Sequence, residues 1–281
     1  MQNKTLTTLQ NDRPQFQFHP FHMVTPSPWP LFVSFSLLIL TMGSAVYFHG
    51  IASPFGDSGL SLVLLGLAST ILSMALWFRD VVTEGTFLGD HTTQVQKGLN
   101  IGMVLFIITE VFFFVSIFWA LFHSSLSPSV ELGGQWPPAG IESINPFELP
   151  LLNTALLLTS GATVTYSHHA LISKNRAGAI GGLALTILLA IIFTVCQGLE
   201  YSNAPFSISD GVYGSTFYMS TGFHGFHVII GTLMLTVALV RMIQYHFTNT
   251  HHVGYESGIL YWHFVDVVWL FLFISVYWYG G

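Results

Sequence analysis

This chain of 281 residues is too apolar for a water-soluble domain. Hydrophobic residues make up 52% of it and charged residues only 7%, which leaves too little charge to cover the surface of a soluble protein of this size. Its formal net charge is −6 at pH 7, and we expect no nucleic-acid partner. The composition predicts an integral membrane protein.

Residues 1–28 are predicted to form a polar N-terminal tail. The tail lacks the apolar core and small-residue cleavage site of a secretory signal, and it is poor in Arg. For a mitochondrial protein, the lack of an Arg-rich leader suggests synthesis inside the organelle. A bacterial origin fits that absence equally well.

Seven apolar segments are long enough to cross a bilayer as helices. A helix needs about 20 apolar residues to span about 30 Å of hydrocarbon. The sequence therefore predicts an all-α integral membrane protein, with a single membrane domain over residues 1–281. The predicted helices cover residues 29–47, 60–78, 99–122, 151–172, 179–199, 215–243 and 258–279.

The charges between these segments predict the topology. All seven basic residues fall in the tail or in loops that seven crossings place on one side, whereas the opposite loops carry only acids. Because Lys and Arg stay on the cytoplasmic or matrix side, the N-terminus should face that side and the C-terminus the other. The basic residues are Lys4, Arg13, Arg79, Lys97, Lys174, Arg176 and Arg241, and the opposing acids are Asp57, Glu131, Glu142, Glu148, Glu200 and Asp210.

The 13 His residues raise the question of a metal or haem site. Membrane di-iron desaturases need a His three or four positions before a His pair, and neither His168-His169 nor His251-His252 has one. Cys196 is the single cysteine, so neither a disulfide framework nor a Cys-rich metal site can form within the chain. The sequence predicts no metal ligands.

Two polar pairs on the predicted helices admit more than one interpretation. His224 and His227 lie three residues apart on the sixth helix, where they could share a face. His263 and Asp266 have the same spacing on the seventh helix, which suits a buried, hydrogen-bonded structural pair. All of them could bond to neighbouring helices, and the alternative is a haem bound through His224, His227 or His263.

Glu110 lies near the middle of the third apolar segment, within ITEVFFF. A bare carboxylate would be costly there, so we expect Glu110 to be protonated or hydrogen-bonded. It is either part of a proton-related site or a neutral hydrogen-bond donor between helices. One function that would follow from the first interpretation is an autonomous membrane carrier or proton channel centred on Glu110.

A mixed group of charges follows the second predicted helix at the level of the lipid head groups. Arg79 stands with the acids Asp80, Glu84 and Asp90, and with His91. Arg and His can bind lipid phosphate while the acids bind lipid hydroxyl or amine groups; a solvated loop is the alternative. A second candidate phosphate contact on the same side consists of Arg241 and His246.

Seven long strings of low degeneracy are spread over residues 19–281. They are HPFHMVTPSPWP at 19–30, WFRDVVTEGTFLGDHT at 77–92, WPPAGIE at 136–142, LPLLNTALLLTSGATVTYSHHAL at 149–171, SISDGVYGSTFY at 207–218, GFHGFHVIIGT at 222–232 and HHVGYESGILYWHFVDVVWLF at 251–271. Together they resemble subunit III of the haem-copper cytochrome c oxidases. That family also has a shorter quinol oxidase relative without the first two helices; both helices are present here, which favours the cytochrome c branch.

The resemblance implies seven helices arranged as two plus five around a V-shaped cleft filled by phospholipid. It also implies a subunit of the proton-pumping, oxygen-reducing oxidase that docks mainly against subunit I, with subunit II and accessory subunits. Subunit I holds the haems and copper in that family, whereas this chain would hold neither; it would stabilise subunit I and support proton uptake there. The implied location is the mitochondrial inner membrane, with the N-terminus in the matrix, or alternatively a bacterial plasma membrane.

The resemblance also carries over to individual residues. Glu110 matches the buried family carboxylate on the third helix. Thr83 stands where many relatives have a second Arg, which weakens the implied phosphate contact locally. The residues that match family positions near cleft lipid are Trp77, Arg79, Glu84, His91 and Arg241.

Overall fold

A computed structural model describes residues 19–50 and 59–281. Within these ranges the chain forms seven α-helices and no β-strand, so the all-α prediction is confirmed for this part of the molecule. The helices are α1 Trp29–Phe48, α2 Leu60–Thr83, α3 Thr93–Ser125, α4 Leu149–Ile172, α5 Arg176–Asn203, α6 Gly211–Ile243 and α7 Val253–Leu272.

Most helices extend beyond the apolar segments that predicted them. The helix α2 continues through a π-helical turn over Glu84–Leu88, and α7 continues through another over Phe273–Trp278. Apolarity marks only the hydrocarbon-spanning part of a helix, because polar end turns can lie at the membrane surface while keeping their backbone hydrogen bonds. The long loop between α3 and α4 contains one 3₁₀ turn, Val130–Leu132.

Several charged residues therefore lie in helices rather than in the predicted loops. Arg79 and Asp80 belong to α2, Lys97 belongs to α3, and Arg176 begins α5. Assigning them to loops was wrong, since the apolar stretch ends before the helix does. Lys4, Arg13 and Asp57, which the topology argument also used, lie outside the described residues.

Six of the seven described helices are long and apolar enough to cross a membrane, and α4 is the exception. At 24 residues and 1.5 Å per residue, α4 still reaches about 36 Å, enough to cross the hydrocarbon. Its polar side chains lower its hydropathy, and several of them face protein: Ser160 and Ser167 are completely buried. Consequently α4 has the length of a membrane span and directs several of its polar side chains to neighbouring helices.

The chain divides into two compact units, an N-terminal unit (residues 1–98) and a C-terminal unit (residues 99–281). In the N-terminal unit α1 and α2 pack through small residues. Gly66 lies so close to α1 that a Cβ placed on it would be 2.5 Å from the Leu40 Cα, and a Cβ on Gly43 would be 2.9 Å from Leu62. Small residues of this kind let helices approach closely in lipid, where apolar surface gains little by association. The arrangement of two plus five helices around a cleft stays a prediction.

In the C-terminal unit α7 is held to α4 by what we call the hydrogen-bond ladder. Three aromatic side chains of α7, spaced seven residues apart, each donate to a hydroxyl of α4. The spacing keeps them on one helix face, since seven residues make nearly two turns. The pairs are Tyr255 with Ser167 at 2.7 Å, Trp262 with Ser160 at 2.9 Å, and Trp269 with Thr154 at 2.9 Å.

The turns that carry basic residues lie at one end of the C-terminal unit. The Arg176 guanidinium donates to the Ile243 carbonyl at 2.9 Å and lies 3.4 Å from the centroid of the Tyr245 ring. These contacts place the α4–α5 connection beside the end of α6. The Ser143 hydroxyl lies 3.4 Å from the carbonyl of Gly281, so the long loop meets the C-terminus.

Candidate functional site

Glu110 of α3 pairs with His227 of α6. The Glu110 Oε2 lies 3.0 Å from the His227 Nε2, and the His227 Nδ1 lies 2.8 Å from the carbonyl of Phe223. The side chains are 22% and 5% exposed, respectively. Sequence reasoning expected Glu110 to need a partner but could not name it, because the two residues are far apart in the chain.

The Glu110–His227 pair holds a single proton between its two facing atoms. A backbone carbonyl can only accept, so the His227 Nδ1 must carry a hydrogen. The proton between the two side chains then sits either on the Glu110 oxygen or on the His227 Nε2, and both forms keep the pair neutral overall. The arrangement can therefore hold a carboxyl group in an apolar bilayer at little electrostatic cost.

Aromatic rings enclose the His227 side chain. Tyr261 of α7 stacks on its imidazole at 6.1 Å between centroids, and Phe223 and Phe114 lie at 4.7 and 5.1 Å. These rings fix the orientation of the imidazole toward Glu110. The pair is thus preorganised by three helices of the C-terminal unit.

His263 and Asp266 lie together on α7, although the His263 side chain is 42% exposed rather than buried. The His263 Nδ1 is 3.7 Å from the Asp266 Oδ2, which is an ion-pair distance and too long for a hydrogen bond. The His263 Nε2 lies 3.2 Å from the Thr165 hydroxyl of α4. Gly161 of α4 makes room for the carboxyl group, since a Cβ on it would be 2.5 Å from the Asp266 Oδ2.

His224 shares no polar contact with His227, although the two are three residues apart. Its Nε2 lies 3.2 Å from the Val265 carbonyl of α7, and its ring packs against Trp269 and Phe193. The side chain is fully buried. The helix places these two histidines in separate polar contacts rather than in one site.

In the N-terminal unit, Arg79 pairs with its neighbour Asp80. Two guanidinium nitrogens of Arg79 lie 3.0 and 2.8 Å from the Asp80 Oδ1, and the Trp29 indole donates to the other carboxyl oxygen. The Arg79 side chain is 63% exposed. Its positive charge is therefore partly balanced within the chain, yet the guanidinium remains accessible.

Glu84 and His91 come together beside the end of α2. Atoms of His22, Glu84 and His91 that could ligate a cation all lie within 4.8 Å of one another. His22 also lies 3.8 Å from an Asp90 carboxyl oxygen. The structure thus gathers Glu84, Asp90 and His91 as the sequence suggested. Trp77 is partly exposed on α2.

Arg241 and His246 lie at the end of α6. The His246 backbone N–H donates to the Arg241 carbonyl at 3.0 Å, and the Arg241 guanidinium lies 4.4 Å from the Phe247 ring centroid. Burial, together with the positive charge of Arg241, lowers the pKa of His251 below its ordinary value. His251 is therefore neutral at pH 7.

A polar cluster that the sequence did not predict joins α4 to α7. The His168 Nε2 lies 3.1 Å from the His252 Nε2, which lies 3.3 Å from the Glu256 Oε1. Asn100 of α3 donates to the other Glu256 oxygen at 3.2 Å. The two His pairs of the sequence each contribute one member, a combination that neither pair reveals alone.

A second unpredicted network surrounds Glu200 near the end of α5. The Tyr277 hydroxyl donates to the Glu200 Oε1 at 2.6 Å, and Gln197 donates to the same atom at 3.0 Å. Asn153 of α4 donates to Gln197 at 3.3 Å. Glu200 is only 3% exposed, so its assignment to a surface loop was wrong: the helix continues past the apolar stretch and turns this carboxyl group inward.

These helices and their buried polar contacts define a multi-pass α-helical membrane protein. The family model described as cytochrome c oxidase subunit III matches residues 19–281. The chain therefore belongs to the cytochrome c oxidase subunit III family, and it is a multi-pass inner-membrane subunit of that oxidoreductase complex.

Curated relatives of this family align with the chain over nearly their whole length. Cytochrome c oxidase subunit 3 of Mycosarcoma maydis is 69% identical over 97% of this chain and 99% of its own length. The protein of the same name from Pyricularia grisea is 63% identical over 96% and 98%, and that from Yarrowia lipolytica is 58% identical over 95% and 97%. The predicted family is confirmed.

Proposed function

We propose that this chain is the non-redox subunit that stabilises subunit I, the bearer of the oxidase haems and copper, and supports proton uptake there. It docks mainly against subunit I, with subunit II and accessory subunits beside it, and retains phospholipid. It carries no haem or copper itself and is not catalytic alone.

The observation that carries the proposal is the engagement of the candidate haem ligands. His224, His227 and His263 each direct the Nε2 atom to a protein group, at 3.2, 3.0 and 3.2 Å respectively. Haem ligation needs a ring nitrogen that faces the iron, and the Nε2 atoms of these three histidines face protein groups instead. Occupation by carbonyl, carboxyl and hydroxyl partners supports a role for these histidines in holding helices together.

The proton-related part of the proposal rests on Glu110. The Glu110–His227 pair can exchange the position of its proton without changing its net charge, and Glu110 is partly exposed at the side of the C-terminal unit. Such a pair can take up or pass on a proton from a neighbouring subunit. Glu110 thus serves subunit I in this proposal, and it is not the centre of an autonomous channel.

Docking is supported by the apolar surface of α3. Phe112 and Trp119 are each 69% exposed there, and seven residues separate them, so they lie on one face. Such a face is suited to acyl chains or to the apolar helices of a partner subunit.

Lipid binding rests on two groups of side chains. Trp77, Arg79, Glu84 and His91 form the first, with an exposed guanidinium for phosphate and an aromatic ring for acyl chains. Arg241 and His246 form the second. Each group belongs to one unit, and each would hold its own phospholipid.

The chain is proposed to lie in the mitochondrial inner membrane with its N-terminus in the matrix. Support comes from Lys174 and Arg176, which share an end of the C-terminal unit with Arg241; positive charge favours the matrix side. In a Cys196→Ser background, an impermeant thiol reagent outside the inner membrane should label Glu142→Cys. Lys174→Cys should react only after permeabilisation, and labelling of both from outside would overturn the orientation.

The function is tested with the purified chain and the assembled oxidase. The isolated chain should show no haem absorbance and no copper, whereas pull-down through the chain should recover both on partner subunits. Glu110→Gln should slow proton uptake by the reconstituted oxidase while subunit content stays unchanged. Haem on the isolated chain, or proton flux through liposomes that contain the chain alone, would contradict the proposal.

A further inference from the structure

We propose that His168, His252 and Glu256 form a zinc site that clamps the end of α4 to the start of α7. The three side chains offer two imidazole nitrogens and one carboxyl oxygen, all within 4.8 Å of one another. Two histidines and one glutamate are a common zinc ligand set. The proposal does not depend on the oxidase function, and it departs from the sequence-based expectation of no metal ligands.

The observed spacings suit tetrahedral coordination. Zinc–nitrogen and zinc–oxygen bonds of about 2.0–2.2 Å put neighbouring tetrahedral ligand atoms about 3.3 Å apart. The two Nε2 atoms lie 3.1 Å apart, and the His252 Nε2 lies 3.3 Å from the Glu256 Oε1. An ion could therefore enter with small side-chain movements, and a water molecule would complete its coordination.

The hydrogen bonds around the cluster prepare it for a cation. The His252 Nδ1 lies 2.9 Å from the Thr248 carbonyl, which can only accept, so Nδ1 carries a hydrogen and Nε2 is the nitrogen left to ligate an ion. Asn100 donates to the second oxygen of Glu256. These are the outer contacts that commonly orient metal ligands.

The backbone at the start of α7 holds two ligands in register. The His252 carbonyl accepts from the N–H groups of Tyr255 at 2.9 Å and Glu256 at 3.1 Å. That turn places His252 and Glu256 on one face, four residues apart. Their spacing in the sequence is the one signal that could have indicated half of the site.

The location gives the ion a structural task. The His168 ring lies 5.8 Å from the Tyr255 ring, and Tyr255 is the first rung of the hydrogen-bond ladder. Zinc bound by His168, His252 and Glu256 would connect α4 and α7 at that end of the ladder. Because zinc is redox-inert, such a site is compatible with a subunit that transfers no electrons.

The test uses the whole purified oxidase, stripped with a chelator and then titrated with Zn²⁺ alone. Bound zinc, measured by mass spectrometry, should be one equivalent lower in the His168→Gln complex than in the unmodified complex. Glu256→Gln should lower the zinc affinity of this site by at least tenfold. Asn100→Ala should lower it by about tenfold, as for other outer contacts. His169→Gln, the adjacent histidine outside the cluster, is the matched control and should retain the zinc.

Equal zinc content in the unmodified and His168→Gln complexes would overturn the proposal, as would equal loss in His169→Gln. If the His168→Gln complex fails to assemble, anomalous X-ray scattering at the zinc edge can locate the zinc in the unmodified complex. A peak between the two imidazoles and the carboxyl group supports the site. Zinc found only on other subunits refutes it.

Discussion

The α1–α2 contact and the α4–α7 contact hold helices together in different ways. Only 11% of the apolar window of α1 is buried in the structure, against 61% for α7. Between α1 and α2 the closest approach is at glycine, whereas between α4 and α7 aromatic donors reach hydroxyl acceptors. The first contact depends on the absence of side-chain atoms, and the second on their chemical pairing.

The difference shows how two solutions to one problem coexist in a single chain. Lipid tails are as apolar as leucine, so burying apolar surface does not by itself bring helices together in a membrane. Close backbone approach gains van der Waals contact, while hydrogen bonds between helices satisfy polar groups that lipid cannot. A substitution should therefore have effects of different kinds at the two contacts.

The largest effect is expected for Gly66→Leu in α2. The new side chain would begin 2.5 Å from the Leu40 Cα, which is backbone and cannot turn aside. Overpacking of this kind costs about 1–3 kcal/mol, and a backbone neighbour favours the upper limit. Titration of the purified chain in micelles with denaturing detergent measures the loss of stability.

The matched control is Gly98→Leu in the same unit, because a Cβ on Gly98 would have no neighbour within 4 Å among the described residues. That variant should keep the stability of the unmodified chain to within about 0.5 kcal/mol, as for surface sites. Equal destabilisation by both substitutions would show that close approach does not hold α1 to α2.

Removing Glu110 should have the next largest effect. Glu110→Ala leaves the buried His227 Nε2 without its acidic partner, at a cost of about 1–3 kcal/mol. Glu110→Gln keeps a donor for that nitrogen and should cost less than half as much. The same detergent titration separates the two, and a larger loss for Gln than for Ala would contradict the assigned hydrogen bond.

Breaking one rung of the hydrogen-bond ladder should have a moderate effect. Trp262→Phe and Ser160→Ala each remove one partner, and a double-mutant cycle isolates their coupling, expected at about 0.6 kcal/mol and at most about 1.7 kcal/mol. Thr159→Ala is the control, since its hydroxyl bonds only to its own helix. A coupling of zero would mean that packing alone joins α4 to α7.

The smallest effect on stability is expected for Arg79→Gln. The guanidinium is exposed, and exposed ion pairs contribute about 0–1 kcal/mol. Loss of one phospholipid per complex, seen by native mass spectrometry, is the expected result if Arg79 binds lipid phosphate. Unchanged lipid content would remove Arg79 from the proposed lipid site.

Local patterns predicted most of the fold but few of the contacts. The helices were recognisable because about 20 apolar residues cross a bilayer in only one way, as a helix. The helix ends were not recognisable from the sequence, because residues such as Arg79 and Lys97 continue a helix without adding hydropathy. Glu200 was placed on the surface for the same reason, although its side chain points inward.

The candidate sites show where sequence reasoning stops. That Glu110 needs a polar partner followed from its apolar neighbours, but His227 could not be identified, because only the packing of α3 against α6 brings them together. His263 and Asp266 were recognisable through their helical spacing. His168 and His252 were each assigned to a different pair, and only the contact between α4 and α7 unites them.

The most direct test of the central claim compares the oxidase with and without this chain. Mild detergent removes the chain, and haem and copper are counted at once in the remaining complex. We predict unchanged haem and copper per subunit I, followed by a faster decline of oxygen reduction than in the intact complex. Haem or copper that leaves with the chain in a fixed ratio would contradict the claim that it stabilises the oxidase without carrying a redox centre.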